Sequence, residues 1–430
     1  MLRTHNLGEL GPEMDGKEVV LAGWLEDTRL LGKIGFAVLR DRYGKVQLVG
    51  LRSTLGPALK ELMSLPRESV VRVRGVVRRS DIARAGFEVE VLSFETLSRS
   101  EAPLPLGVAD RVGVTMETRL DNRFLDLRRP EVMAVFKVRS TAIWAIREYL
   151  HERGFIEVNT PKIIATATEG GANLFRVDYF GREAYLAQSP QLYKQILMAA
   201  GMDRVMEIAP AFRAELHDTP KHLNEFVSID VEMSFVEQED AMALLEGAVA
   251  EAVRRVREEN EEELELLGYK PPELRPPIRR VTYDEAYSWV REVVPDFPYG
   301  EDFGSDELRI VSSRAPEWYF IVDFPKNAKP FYAALKEDGV HTKSYDLMFQ
   351  DKEVAGGTIR VHDAAELEAR IREEGMDPGA FDFYLRAFRY GMPPHGGWAI
   401  GAERLTMVLT GVQNIREASL FPRDRRRLSP

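Results

Sequence analysis

The sequence predicts an α+β protein with a small β-barrel ahead of a larger helix-and-sheet domain. Three observations carry that prediction. Residues 17–98 hold five short β-branched runs separated by Gly, Asp and Ser: KEVVLAGWL, IGFAVLRDR, GKVQLVGL, SVVRVRGVVR and FEVEVLSF. Residues 132–153 keep Val135, Val138, Ile143, Ile146, Tyr149 and Leu150 near one helical face, and Gly154 ends the run. Residues 204–233, RVMEIAPAFRAELHDTPKHLNEFVSIDVEM, read as two strands around a loop too polar and Pro-broken for a core.

Composition narrows the class. The chain has 430 residues, enough for two or three domains, and 44% are hydrophobic, so a sizeable core is expected. No apolar run approaches the roughly 20 residues that span a membrane, and MLRTHNLGEL lacks a signal-peptide core, so the cytoplasm is expected. The absence of cysteine excludes disulfides, thiol catalysis and cysteine–zinc sites. Net charge is −11, which argues against a bulk nucleic-acid binder. Residues 1–100 nevertheless total +3, from 16 basic and 13 acidic residues, and the remainder totals −14. A mildly basic head on an acidic body fits a nucleic acid held at one end.

Taken in order, the five strands suit an OB-fold, whose barrel binds single strands by stacking bases on aromatics. Phe36 and Gln47 fall on adjacent strands with Arg29 in the turn before them; from the residues alone, Phe36 reads first as a core position. EAPLPL then makes a stiff linker, and Arg119, Arg123, Arg128 and Arg129 follow, either contacting a phosphate backbone or pairing with local acids. The expected boundaries are 1–103 for the barrel, 104–131 for the hinge and 132–430 for the large domain. After the long helix come a strand FIEVNTP, a polar Gly-pair loop ATATEGGANLF, and a strand EAYLAQ. A helix opening at Ser189-Pro190 puts Gln191 and Lys194 on one face. Beyond the 204–233 hairpin lie a long helix from Glu237, a Pro-rich linker and a capping box at Thr282–Glu285. Strands WYFIVDFP, FYAAL and SYDLMFQDKEVAGG follow, then two amphipathic helices and a Gly-rich strand leading into a helix at Arg404.

Arg213 and Glu215 stand where the first hairpin strand ends, with Lys221 and His222 in the loop. An arginine fork with a carboxylate two residues on suits nucleotide phosphate chemistry, and it equally suits a surface hairpin with ordinary salt bridges.

Three stretches in this order resemble motifs 1, 2 and 3 of the class II aminoacyl-tRNA synthetases: the long helix plus strand ending at Pro161, the FRAE hairpin, and the Gly-strand-helix with GAER. Behind an OB-like domain they resemble subclass IIb, and ATATEGGANLF, QSPQLYKQ, RAFRYGMPPHGG and FPRDRRRL resemble the archaeal type of aspartyl-tRNA synthetase over essentially the whole chain. The resemblance implies an antiparallel sheet with flanking helices, a homodimer through the Pro161 region, and ATP, Mg²⁺, L-aspartate and tRNA(Asp) as ligands. Aspartate attacks the α-phosphate of ATP, and the 3′-terminal ribose of tRNA then takes the aspartyl group. No protein nucleophile is needed, in keeping with the absence of a Ser-His or Cys-His pair.

Roles carry over by position. Arg213 resembles the arginine bridging α-phosphate and substrate carboxylate, and Glu215 the acid that holds the adenine amino group. Ala214, Lys221, His222 and Leu223 match the ATP-contacting stretch. Phe226 and Arg404 resemble the pair that sandwiches adenine, and Gly401, Ala402 and Glu403 complete the motif 3 contact. Asp346 and Glu353 match the Mg²⁺ carboxylates. Lys194 and Arg360 match the readers of the aspartate side chain. Glu169, Gln191 and Asp230 match the surroundings of its ammonium, with Leu192 and Tyr193 beside them. Gly356 stands where the family often has a serine that helps hold metal and aspartate, and Trp398 stands where Phe is usual. In the barrel, Arg29, Phe36 and Gln47 match anticodon contacts. Discriminating members carry Trp and Lys where this chain has Glu26 and Arg84, so tRNA(Asn) is an expected second substrate, which implies a downstream amidotransferase. The rivals are an asparaginyl-tRNA synthetase, against which Lys194 argues, a non-catalytic tRNA-binding relative, and a tRNA-independent amide ligase.

Overall fold

The computed structural model describes residues 2–109, 113–165, 173–216 and 219–430. The chain forms two compact units, Met1–Arg129 and Pro130–Pro430. Residues 166–172 of the Gly-pair loop, with Glu169, lie outside the described residues.

In the first unit β1 (Glu18–Leu31), β2 (Ile34–Arg40), β3 (Lys45–Leu51), β4 (Val70–Arg79) and β5 (Phe87–Ser98) close into a barrel of order β1-β2-β3-β5-β4. The period-2 pattern sorts the side chains. Ala37, Leu39, Val46, Leu48, Val71, Val73 and Val89 fill the interior. Phe36 is half-buried on the alternate, outward face. Arg29 lies within β1, directly opposite Phe36, and the turn comes later at Gly32. The arginines after the linker pair locally. Arg119 and Arg123 both bind Asp126, at 3.0 and 2.6 Å, and Arg128 binds Glu68 at 2.9 Å.

The second unit contains two sheets. A small one joins β7 (Ile163–Ile164), β9 (Arg182–Leu186) and β8 (Arg176–Tyr179). The large one has eight strands. In chain order they are β6 (Ile156–Glu157), β10 (Arg204–Phe212), β11 (Glu225–Ser234), β12 (Arg279–Thr282), β13 (Trp318–Val322), β14 (Ser344–Phe349), β15 (Lys352–Ile359) and β16 (His395–Gly401). Their spatial order is β12-β13-β14-β15-β16-β11-β10-β6. The six inner strands are antiparallel, as the resemblance implied. Only the two edge strands, β12 and β6, pair in parallel with their neighbours. FYAAL is not a strand: Ala333 and Leu335 make only isolated bridges, to Arg360 and Thr342.

Helices Pro130–His151, Gln238–Glu259 and Ala402–Thr410 cover one face of this sheet. Val138, Ala142, Leu245, Ala248, Val249 and Leu405 bury their apolar stripes against Ile229, Val231 and Ile400. A core that size, at about 25 cal/mol per Å² of apolar area, is the main support of the sheet. Gly247 lets the first two helices meet, because a Cβ there would collide with the Tyr149 ring. The opposite face carries the candidate site.

Candidate active site

A cavity of about 400 Å³ opens on that face, lined by residues of the loop between β10 and β11, of β11, of β14–β16 and of helix Gln191–Ala199. It brings together Arg213, Glu215, Phe226, Asp230, Asp346, Glu353, Arg360 and Arg404 from stretches up to about 190 residues apart. Gln191, Lys194, Lys221, His222, Leu223, Gly356, Gly401 and Glu403 line it too.

At one end the charges are buried and paired. The Lys194 ammonium, 3% exposed, donates to Asp230 at 3.0 Å and to the Val231 carbonyl at 3.3 Å, with Glu232 at 3.4 Å. Arg360 makes a two-pronged contact with Glu232 at 2.9 and 3.1 Å and lies 5.2 Å from the Tyr332 ring centroid. Burial alone would push the Glu232 carboxyl up; Arg360 and Lys194 outweigh it and hold the group below the ordinary carboxylate range. Lys194, Arg360, Asp230 and Glu232 therefore balance to zero net charge. Glu232 is absent from the sequence reading. The signal was present: it follows Asp230 by two on a strand, so both face the same side.

Behind this cluster Gln195 accepts from Gln191 at 2.9 Å and from the Tyr384 hydroxyl at 3.0 Å, and its amide reaches His395 Nε2 at 2.9 Å. His395 Nδ1 faces the Pro393 carbonyl at 2.8 Å, so the network assigns a neutral ring donating through Nδ1. Burial pushes that imidazole down to about 4.

At the other end Arg213 follows the last residue of β10, fixed by its N–H on the Asn224 carbonyl at 2.9 Å. The guanidinium over the Phe226 ring is that of Arg213, at 5.5 Å from the centroid. Arg404 is turned instead to Glu353, contacting its carbonyl and carboxylate at 3.2 Å. Lys221 binds Asp351 at 3.0 Å on the turn before Glu353, and His222 meets Thr219 at 2.7 Å. Asp346 faces Lys329 at 2.6 Å; burial pushes its carboxyl up and the ammonium opposes this. A Cβ on Gly356 would stand 3.0 Å from Asp346 Oδ1 and 3.4 Å from Glu353 Oε1, so the two carboxylates converge on one small space.

Several sequence expectations need correction. Leu192 packs in a core cluster with Met198 and Phe331, and Tyr193 lies against Phe383; neither lines the cavity. Ala214 donates its N–H to Asn173, and Ala402 is buried in the main core. Glu403 spends both carboxylate oxygens on structure, one on Arg139 at 2.9 Å and one on the Val227 N–H at 3.0 Å. In the barrel Glu26 is paired with Arg40 at 3.1 Å and Lys45 at 2.7 Å, so its carboxylate is engaged within the barrel itself. Gln47 is anchored by Glu88 at 2.9 Å, and Arg84 is exposed on the β4–β5 loop.

Comparison with known families agrees with this architecture. Residues 19–97 match the OB-fold nucleic acid binding domain, and residues 115–425 match the class II tRNA synthetases (D, K and N). Over its full length the chain is 50% identical to an aspartate–tRNA(Asp/Asn) ligase of Methanopyrus kandleri and 46% identical to an aspartate–tRNA(Asp) ligase of Thermoplasma acidophilum, with each chain covered to 100%. An asparaginyl-tRNA synthetase from Pyrococcus horikoshii complexed with asparaginyl-adenylate superposes with a TM-score of 0.93 at 34% identity, both chains covered to 100%. An aspartyl tRNA synthetase from Entamoeba histolytica superposes at 0.88 and 29% identity, over 100% of this chain and 93% of that one. The chain belongs to the aspartate–tRNA ligase family of the class II tRNA synthetases, ATP-using ligases that act on tRNA.

No helix among the described residues is long and apolar enough to cross a membrane.

Proposed function

We propose that the protein activates L-aspartate with ATP and transfers it to tRNA(Asp) and tRNA(Asn) in the cytoplasm. The observation that carries the amino-acid assignment is the pair of buried cations, Lys194 and Arg360, at one end of the cavity. A substrate carboxylate pairs with them, while Asp230 turns to the incoming ammonium. The neutral amide of asparagine would leave a buried cation short of a partner, which costs far more than it would in water.

Arg213 neutralises charge where the α-carboxylate attacks the α-phosphate, and Phe226 supplies the apolar face for adenine. Arg404 reaches the nucleotide by leaving Glu353. The donor set fits Mg²⁺: Asp346 and Glu353 converge, and among the described residues no group of three or more His, Cys, Asp or Glu side chains could hold an ion alone. An ion sharing its shell with phosphate and water needs only such a pair. When bound it neutralises phosphate charge. Gly356 leaves room beside it, where a serine would crowd both carboxylates.

The test is ATP–pyrophosphate exchange with aspartate against asparagine. Equal exchange rates refute the assignment.

Acceptance of tRNA(Asn) is supported by Glu26, which is held by Arg40 and Lys45 and cannot stack on a base. The two anticodons differ only at the third base, so discrimination needs a contact there. Both transcripts are aspartylated within about a hundredfold, roughly 3 kcal/mol. The mischarged product then requires an amidotransferase. Homodimerisation is supported by exposed Trp144, Ile156 and Ile163 around the Pro161 segment, on and beside the edge strand β6. Sedentary mass at the single-chain value in light scattering refutes it.

A further inference from the structure

The two carboxylates assigned to the metal each hold a cation of the chain itself. Glu353 holds Arg404, which has a second use on the nucleotide. Asp346 holds Lys329, for which the reading above has no use. Lys329 is not a surface lysine that happens to reach inward. Its side chain is 14% exposed, its ammonium lies 3.7 Å from the Phe324 ring centroid, and Phe324 is itself fully buried. An aromatic face and a carboxylate therefore fix the ammonium from two sides.

A third carboxylate opens on the same cavity. Asp302 accepts the Phe303 N–H at 2.9 Å and has no ion-pair partner among the described residues. The charges of Asp302 and Glu353 both act on the Lys329 ammonium. One lysine thus stands among three acids at the phosphate end.

We propose that Lys329 is the protein's own competitor for the divalent cation: metal and ammonium contend for Asp346, and Asp302 receives the ammonium when the metal takes that place. This rests on the metal reading above. A divalent ion binds a carboxylate oxygen at about 2.1 Å. With the ammonium 2.6 Å from the other oxygen of the same group, the two cations repel each other at close range in a poorly hydrated site. The competition keeps metal affinity low until nucleotide phosphates add their own oxygens, so metal and ATP load together.

The experiment is Mn²⁺ binding to the nucleotide-free, full-length protein, followed by loss of the free-ion electron paramagnetic resonance signal. Lys329→Met binds Mn²⁺ at least tenfold more tightly than the parent, and Lys329→Gln, which keeps a polar group, shows the same direction. Asp302→Asn weakens binding in the parent but has no effect alongside Lys329→Met, because Asp302 then has no ammonium to receive. Unchanged or weaker Mn²⁺ binding in both Lys329 variants overturns the proposal. So does an Asp302→Asn effect that persists without the lysine, which would make Asp302 a metal ligand. The metal reading has its own control. If Asp346→Asn combined with Glu353→Gln leaves Mn²⁺ binding intact, that reading fails; if it abolishes binding while Lys329→Met does not tighten it, only the competition fails.

Discussion

Replacing Glu232 with glutamine removes one charge from a fully buried position. The carboxylate is fully buried, accepts two hydrogen bonds from Arg360 at 2.9 and 3.1 Å, and has Lys194 at 3.4 Å. A hydrogen bond to a charged group is worth about 1.5–3 kcal/mol, and breaking a buried pair costs about 3–5 kcal/mol. Two features soften the loss. Arg360 keeps its place over the Tyr332 ring, and Lys194 keeps Asp230. Glutamine also still accepts one hydrogen bond. The expected destabilisation is therefore about 3 kcal/mol, read as a shift in the urea midpoint at constant slope. Function suffers separately, because Glu232 spaces the two cations that meet the substrate carboxylate. Their misplacement by about 1 Å costs roughly a hundredfold in kcat/KM for aspartate in pyrophosphate exchange. The KM for ATP changes less than about twofold. Gly397→Ala acts on the same carboxylate, since a Cβ there collides with Glu232 and the Val231 carbonyl, and it reproduces the phenotype. A Glu232→Gln protein within about 0.5 kcal/mol of the parent, with normal aspartate kinetics, would refute the reasoning.

Further outcomes follow from the same geometry. Lys194→Leu removes most aspartate activation while ATP binding, followed by intrinsic fluorescence, persists; retained exchange activity would take Lys194 out of substrate reading. Glu353→Ala abolishes adenylate formation, whereas Gly356→Ser changes the Mg²⁺ requirement by less than about tenfold, because Asp346 need yield only a few tenths of an ångström. The neutral His395 ring makes stability pH-dependent. Its pKa is about 4 in the fold against 6.5 unfolded, so its contribution is complete above 6.5 and is lost as the pH falls from there through 4. That loss is on the order of 3 kcal/mol, and a His395→Asn protein shows a flatter stability profile across this window.

The barrel was legible because its strands are short β-branched runs separated by Gly, Asp and Ser, and the alternation of side chains in β2 decides Phe36 once Ala37 and Leu39 are seen to point inward. Motif order made Arg213, Lys194, Asp346, Glu353 and Arg360 legible, and all five meet in one cavity. Helical spacing was enough to pair Gln191 with Lys194, and it should have turned Leu192 away. What the sequence hid is charge pairing. Glu232 reads as one acid among several, Lys329 as one lysine in a loop, and Glu403 as part of a nucleotide motif. Their partners, Arg360, Asp346 and Arg139, are brought close only by the folded sheet.

β16 is the last strand of the chain, yet it lies between β15 and β11 in the middle of the large sheet. During synthesis on the ribosome the sheet therefore exists as two halves with raw inner edges. The backbone of β11, complete at Ser234, waits for a partner that begins at His395, about 160 residues later. At about 5–20 residues per second that is on the order of ten seconds of exposure. Unpaired edges are where nascent chains stick to one another. Vectorial production thus makes the closing stretch His395–Gly401 a keystone, and a ribosome stalled short of it leaves a chain whose two half-sheets are open to intermolecular pairing.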